Sequence, residues 1–214
     1  MYLSQVTFIS LHDHILIMIT RDIVYFEKAG SQNTDDTIRL AVARANELSI
    51  KYAVVASSGG ETGLKAAKAF ASTGIKVIVV AHHVGFSEPG KRDMEEAYVN
   101  ALREMGIPLV EQSHALSGVE RSITRRLGGA SRVESIAEAL RTLIGVGTKV
   151  CVEISIMAAD SGHVPVDGKT EIVAIGGTWS GADTACIIKP AHANSFFDLQ
   201  VREFVCLPRE KSRD

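Results

Sequence analysis

The stretch Tyr52 to Ala66, YAVVASSGGETGLKA, constrains this chain more than any other. Tyr52 to Ala56 reads as a buried strand. Ser57, Ser58, Gly59 and Gly60 form a small-residue turn, and Glu61, Thr62 and Gly63 open a helix. A strand that passes through a Gly/Ser turn into a helix aims free backbone N–H groups at one point. The helix dipole adds partial positive charge there, which suits a phosphate. The same residues also suit an ordinary tight strand-to-helix connection that binds nothing. They match neither named phosphate-loop pattern, GxGxxG or GxxxxGK[ST].

The rest of the chain repeats the alternation. Ile23 to Glu27 reads as a short strand. Asn33 or Thr34 caps a helix with Asp35 and Asp36 in its first turn, and Ile38, Ala41, Val42, Ala45 and Leu48 recur on one face. A helix from Glu61 stops at Gly74. Lys76 to Ala81, KVIVVA, is an unbroken apolar run, the mark of a strand covered on both sheet faces. Met94 to Met105 carries a helical stripe, and Ile107 to Val110 is a short strand. Ser117 with Glu120, and Ser131 with Glu134, predict two capping boxes and two helices. Lys149 to Met157, KVCVEISIM, is expected as a long strand with Glu153 paired inside it. Glu171 to Ile175 is a strand running into Gly176 and Gly177. The turn GGTWSGADT is too tight for a helical crossover, so Thr184 to Lys189 is expected as its antiparallel partner. Phe204 to Leu207 is one more apolar patch. These features predict an α/β fold: three-layer α/β/α with a mostly parallel sheet and an antiparallel edge strand.

Net charge is −2 over 214 residues, so nothing global steers the protein to nucleic acid or to an anionic membrane. The basic segment Arg121 to Arg132 is short and lacks interleaved aromatics, so no nucleic-acid partner is expected. The three cysteines, Cys151, Cys186 and Cys206, sit in apolar runs. Their odd number argues for buried reduced thiols and a cytoplasmic protein. Phe8 to Ile19 is shorter than the roughly 20 apolar residues of a spanning helix and is interrupted by His12, Asp13 and His14. No membrane partner or signal peptide is expected. Residues 1–17 read as an extra arm: an edge strand, a loosely held segment, or a start-site artefact with Met18 as the natural start. Residues 18–214 read as one domain. No metal site is assigned, including at His12 and His14.

Ligands of open parallel sheets bind at the carboxyl ends of the strands. Three segments fall there: the Ser57 to Thr62 turn, the Gly176 to Thr184 turn, and the loop Ser113 to Gly118. Gly176, Gly177 and Gly181 permit close backbone approach, and Asp183 is placed either on a ligand hydroxyl or on its own turn. His114 is read either as a ligand-orienting residue or as a solvated loop residue. Ser117 is read as a helix cap or a ligand contact. Arg121, Arg125 and Arg126 share a helix that binds phosphate or faces solvent. Glu61 must point away from a phosphate, or else it serves as an acid/base group.

Two of these segments resemble the C-terminal domain of pyruvate kinase, and more closely the stand-alone archaeal proteins that look like that domain. The first is VVASSGGETGLKAAKAFASTGIKVIVVAHH and the second is IVAIGGTWSGADTACII. SHALSGVERSITRRLGG and CVEISIMAADSG look like the stand-alone proteins. The resemblance covers Met18 to Lys189. It implies a phosphorylated small-molecule partner, with bound FMN as the leading cofactor. It places Ser57, Ser58, Gly59, Gly60 and Thr62 on the phosphate, Gly176, Gly177, Asp183 and Thr184 on the other side, and His114, Ser117 and Gly118 as the closure. Trp179 or Phe86 would cover the flavin. If the protein is an enzyme, the flavin carries the redox chemistry of an oxidoreductase. The kinase's catalytic barrel, about 250 residues, has no counterpart here, so phosphoryl transfer is not expected. A non-catalytic sugar-phosphate sensor and an assembly module are the alternatives, and a homo-oligomer is compatible with each.

Overall fold

A computed structural model describes residues 5–11 and 14–211, with side chains described from Met18 onward. Strands β1 (Gln5–Leu11) and β2 (His14–Thr20) pair antiparallel as a two-stranded sheet of their own. His12, half of the histidine pair considered above, and residues 1–4 lie outside the described residues.

The main sheet has seven strands. In chain order its elements are β3 (Val24–Phe26), α1 (Thr34–Glu47), β4 (Tyr52–Ala56), α2 (Glu61–Phe70), β5 (Lys76–Ala81), α3 (Glu96–Glu104) and β6 (Leu109–Glu111). The chain continues through α4 (Gly118–Leu127), α5 (Arg132–Leu143), α6 (Val146–Asp160), β7 (Ile172–Gly176), β8 (Thr184–Lys189) and β9 (Gln200–Pro208). The spatial order is β3-β9-β8-β7-β4-β5-β6. Every neighbouring pair is parallel except β7–β8 and β8–β9. The antiparallel pairing of Thr184–Lys189 with β7 is as expected. That strand is not an edge, however. The apolar tail around Phe204 to Leu207 forms β9 and covers its free side, and short β3 closes the row.

Alternation along the strands builds two cores. Ala53 and Val55 of β4, with Val77 and Val79 of β5, meet α1, α2 and α3 through Ile38, Ala66 and Leu102. Val54, Ile78 and Val80 point the other way, onto Cys151, Ile154 and Met157 of α6. Both faces of the strands are therefore apolar, which is why KVIVVA has no polar break.

The expected strand Lys149–Met157 is instead the middle of α6. Its sheet-facing residues are as apolar as Val152 and Ile156 on its outer side, which pack against Ala137 of α5. A helix buried all round has no amphipathic period, so its β-branched run imitates a covered strand. The Ser131 cap forms, with Glu134 N–H donating to its Oγ at 3.2 Å. Ser117 stands at the N-cap position of α4 with no side-chain bond to the helix, which corrects its reading as a cap. Among the described residues no helix is long and apolar enough to cross a membrane, and no cluster is arranged to hold a metal ion.

Candidate functional site

The turn after β4 is shaped by its own side chains. Ser57 is buried, and its Oγ accepts the Gly63 N–H at 2.9 Å, which ties the turn to the first coil of α2. Gly60 has φ +107°, and a Cβ there would run into the Tyr98 ring. A side chain on Gly63 would press on Val79 at 3.0 Å, so glycine seats α2 close to β5. Among the described residues, the N–H groups of Ser58, Gly59, Gly60, Glu61 and Thr62 have no hydrogen-bond partner. They surround the N-terminus of α2, where the dipole is positive. Glu61 is mostly exposed and pairs with Lys65 at 3.3 Å, and it also borders the cleft at this turn.

Opposite this turn lies GGTWSG. A Cβ on Gly177 would meet the Gly181 carbonyl oxygen at 2.6 Å, so the loop closes on itself only with glycine there. Trp179 has φ +63° and is 84% exposed, an unusual state for a large apolar side chain. The two turns border one cleft of about 460 Å³, a volume common for small-molecule sites. It lies at the carboxyl ends of β4, β5 and β7, the position expected in an open parallel sheet.

Side chains from both sheet faces complete the cleft. His82 and Phe86 follow β5, with ring centroids 3.9 Å apart, and Phe86 stacks on His114 at 5.0 Å. His82 Nδ1 contacts Asp93 Oδ2 at 2.7 Å, and the Ser87 hydroxyl donates to the same oxygen at 2.9 Å. That pairing holds Asp93 below the usual carboxylate range. From the other face come Arg121, Arg141, Lys149 and Glu153. Lys149 Nζ meets Glu153 Oε2 at 2.5 Å, with both side chains buried. Glu153 Oε1 also accepts the Leu116 N–H at 2.9 Å. Burial lowers the Lys149 pKa, and the Glu153 carboxylate opposes that shift. His114 Nδ1 lies 3.9 Å from Glu153. Burial drives His114 from 6.5 to about 4, so it is a neutral neighbour at pH 7 and not an ion-pair partner.

Of the residues assigned from sequence, Ser57, Ser58, Gly59, Gly60, Thr62, His114 and Gly177 line this cleft, as do Phe86 and Trp179. Ser117 lines a neighbouring depression that shares Arg121 and Arg141 with it. Gly118, Gly176, Asp183 and Thr184 do not border the cleft. Asp183 is fully buried and accepts from the Gly30 N–H at 3.0 Å, the Thr178 N–H at 3.1 Å and the Thr184 hydroxyl at 2.8 Å. Its carboxylate braces the turn against the loop before α1, the alternative weighed for it above. Gly176 is packed under α6, where a Cβ would meet the Gly147 carbonyl oxygen at 2.7 Å.

Sequence reasoning did not assign His82, Arg141, Lys149 or Glu153. The i,i+4 spacing of Lys149 and Glu153 was the available signal, but it has that meaning only on a helix. A larger cavity, about 750 Å³, lies at the opposite end of β4 and β5, beside Tyr52 and Lys76. It faces the C-terminal end of α2, whose dipole disfavours an anion. Its volume therefore does not make it the better ligand site.

The fold and site define an α/β protein with a cleft at the strand ends, built from a bare helix N-terminus, an aromatic wall and a cationic wall. The chain matches the family "Pyruvate kinase, alpha/beta domain" over residues 35–188 and belongs to that family. Among solved structures it is similar to a pyridoxal 5'-phosphate-dependent aspartate racemase, at 16% identity over 67% of this chain and 48% of that one, with a TM-score of 0.28. It is also similar to an O-ureido-L-serine synthase, at 15% identity over 65% of this chain and 50% of that one, with a TM-score of 0.27. The chain matches about half the length of each, and likeness at this level has no functional weight.

Proposed function

We propose that the cleft binds a phosphorylated small molecule, FMN in the first instance, with its phosphate at the Ser58–Thr62 turn. The observation that carries this reading is the set of unpartnered N–H groups at the N-terminus of α2, opening into a cleft of ligand size. The donor chemistry fits: backbone N–H groups for the phosphate, and Phe86, His82 and Trp179 as flat surfaces for a ring system. Bound FMN supplies redox chemistry, and the chain holds and orients it. Gly177 and Ser180 close the cleft on the phosphate side, while His114 and Phe86 exclude water from the ring. The reading places the protein in the cytoplasm, where its buried thiols stay reduced, and needs neither nucleic acid nor a membrane.

The test is a melting-temperature panel on the purified chain with FMN, riboflavin and hexose phosphates. FMN raises the melting temperature and riboflavin, which lacks the phosphate, does so far less. A shift with hexose phosphates and none with FMN turns the reading into a sugar-phosphate sensor. No shift with any of them refutes a phosphate site. Reduction of bound flavin by NADH or NADPH then decides whether the protein is an oxidoreductase.

A further inference from the structure

We infer that Lys149 is an imine-forming nucleophile, and that the cleft takes a small phosphorylated aldehyde whose carbonyl carbon it attacks. The inference rests on the phosphate reading of the Ser58–Thr62 turn and names a substrate class for that site. The aldehyde and FMN would use the same turn, so each excludes the other.

Among the described residues Lys149 alone of the lysines is buried, and it lines the cleft. Helix α2 packs on one face of the sheet and α6 on the other, so the phosphate turn and Lys149 reach the cleft from opposite sides. An aldehyde anchored by its phosphate therefore presents its far end to the α6 wall. There Lys149 Nζ donates to Glu153 Oε2 at 2.5 Å, one helical turn away. The Leu116 N–H fixes the other carboxylate oxygen at 2.9 Å, so Glu153 is held in place to move protons. A buried ion pair is often no better for stability than apolar side chains of the same size. Its place on a cleft wall points instead to a chemical use.

A lysine becomes nucleophilic when it is desolvated or set beside other cations, because both favour the free amine. Lys149 has both conditions. Burial lowers its pKa, the Glu153 carboxylate opposes that shift, and Arg141 and Arg121 reinforce it. These two arginines line the same cleft.

The step balances with these groups alone. Glu153 Oε2 takes one proton from the Lys149 ammonium. The Nζ lone pair forms the C–N bond while the carbonyl π pair moves onto oxygen, which takes that proton from Glu153. Glu153 then removes a second proton from Nζ and passes it to the new hydroxyl. The C–O bond breaks, water leaves, and the nitrogen lone pair closes the C=N bond. Ammonium and aldehyde become iminium and water, with no change of oxidation state, and Glu153 ends as a carboxylate.

The test treats the full chain with glyceraldehyde 3-phosphate, reduces it with sodium borohydride and maps the peptides by mass spectrometry. Borohydride delivers hydride to the iminium carbon and leaves a stable secondary amine. The label is expected at Lys149, roughly tenfold or more above that from glyceraldehyde, because the phosphate holds the carbonyl beside the amine. Lys149→Arg keeps a cation opposite Glu153 without a reducible amine and removes the label, with folding checked by circular dichroism. Mapping of the wild-type chain decides the matter even where that variant does not fold. Glycerol 3-phosphate, which lacks the aldehyde, reports the phosphate turn by itself: it raises the melting temperature and protects Lys149 from labelling. Binding of glycerol 3-phosphate with no label at Lys149 overturns the inference and leaves the phosphate turn standing. Equal labelling of Lys149 by glyceraldehyde also overturns it, since the phosphate then directs nothing. Failure of both glycerol 3-phosphate and glyceraldehyde 3-phosphate to bind refutes the phosphate turn itself, and the inference with it.

Discussion

Replacing Lys149 with methionine strands the Glu153 carboxylate inside the protein. In the native protein the pair is closed at 2.5 Å and both side chains are at most 6% exposed. Glu153 also accepts the Leu116 N–H, so it cannot swing out to water without breaking that bond. Removing one partner of a buried pair costs about 3–5 kcal/mol, because the other charge stays desolvated. The stranded carboxyl relieves part of this by holding a proton that the unfolded chain releases. The folded variant then binds more protons than the unfolded one, so its stability falls as pH rises. Over two pH units the change is bounded by roughly 2.7 kcal/mol, at 1.36 kcal/mol per unit. Urea unfolding followed by circular dichroism at pH 5 and pH 7 measures both quantities. Lys149→Met is expected to lose several kcal/mol at pH 7 and markedly less at pH 5. Adding Glu153→Gln removes the charge but keeps an oxygen for Leu116, so the double variant recovers most of the loss. A deficit below about 1 kcal/mol, or one that is flat with pH, refutes the buried-pair account.

Two further outcomes follow from local geometry. Burial holds His114 near 4 against 6.5, so its stabilisation is complete above pH 6.5 and is lost as pH falls toward 4. The loss amounts to roughly 3 kcal/mol from a shift of that size, and His114→Gln is expected to flatten the slope in the same unfolding experiment. Gly60→Ala drives a methyl group into Tyr98 at φ +107° and is expected to cost about 1–3 kcal/mol. Gly59→Ala, with nothing within 4 Å of the new methyl group, is expected to change stability by less than about 1 kcal/mol; thermal melts of the two variants compare them directly.

The sheet was legible in the sequence where one residue pattern permits one structure. KVIVVA and YAVVA are too short for buried helices and too apolar for edges, and both are central parallel strands. KVCVEISIM was misread because α6 is pressed between the sheet and α5, so its polar period is erased. That single error hid half of the site, since Lys149 and Glu153 share a cleft wall only when one helical turn apart. The glycine turns showed where backbone approaches closely but not what it approaches. Gly59 borders open space, whereas Gly177 is pressed against the Gly181 carbonyl and Gly176 is packed against α6. Asp183 has the composition of a ligand-binding carboxylate, yet the bonds that occupy it come from Gly30, far away in sequence, as well as from its own turn. Long-range partners of this kind leave no local trace.

The central claim is that the Ser58–Thr62 turn binds a phosphate inside the strand-end cleft. Trp179 is the only tryptophan and lines that cleft, so its fluorescence reports occupancy. FMN is titrated into the wild-type chain and into Ser58→Glu, which places a carboxylate among the free N–H groups. The account predicts saturable one-to-one quenching that excess inorganic phosphate reverses, with affinity at least tenfold weaker in Ser58→Glu. Equal affinity in the two proteins, or no saturable quenching in the wild type, contradicts it.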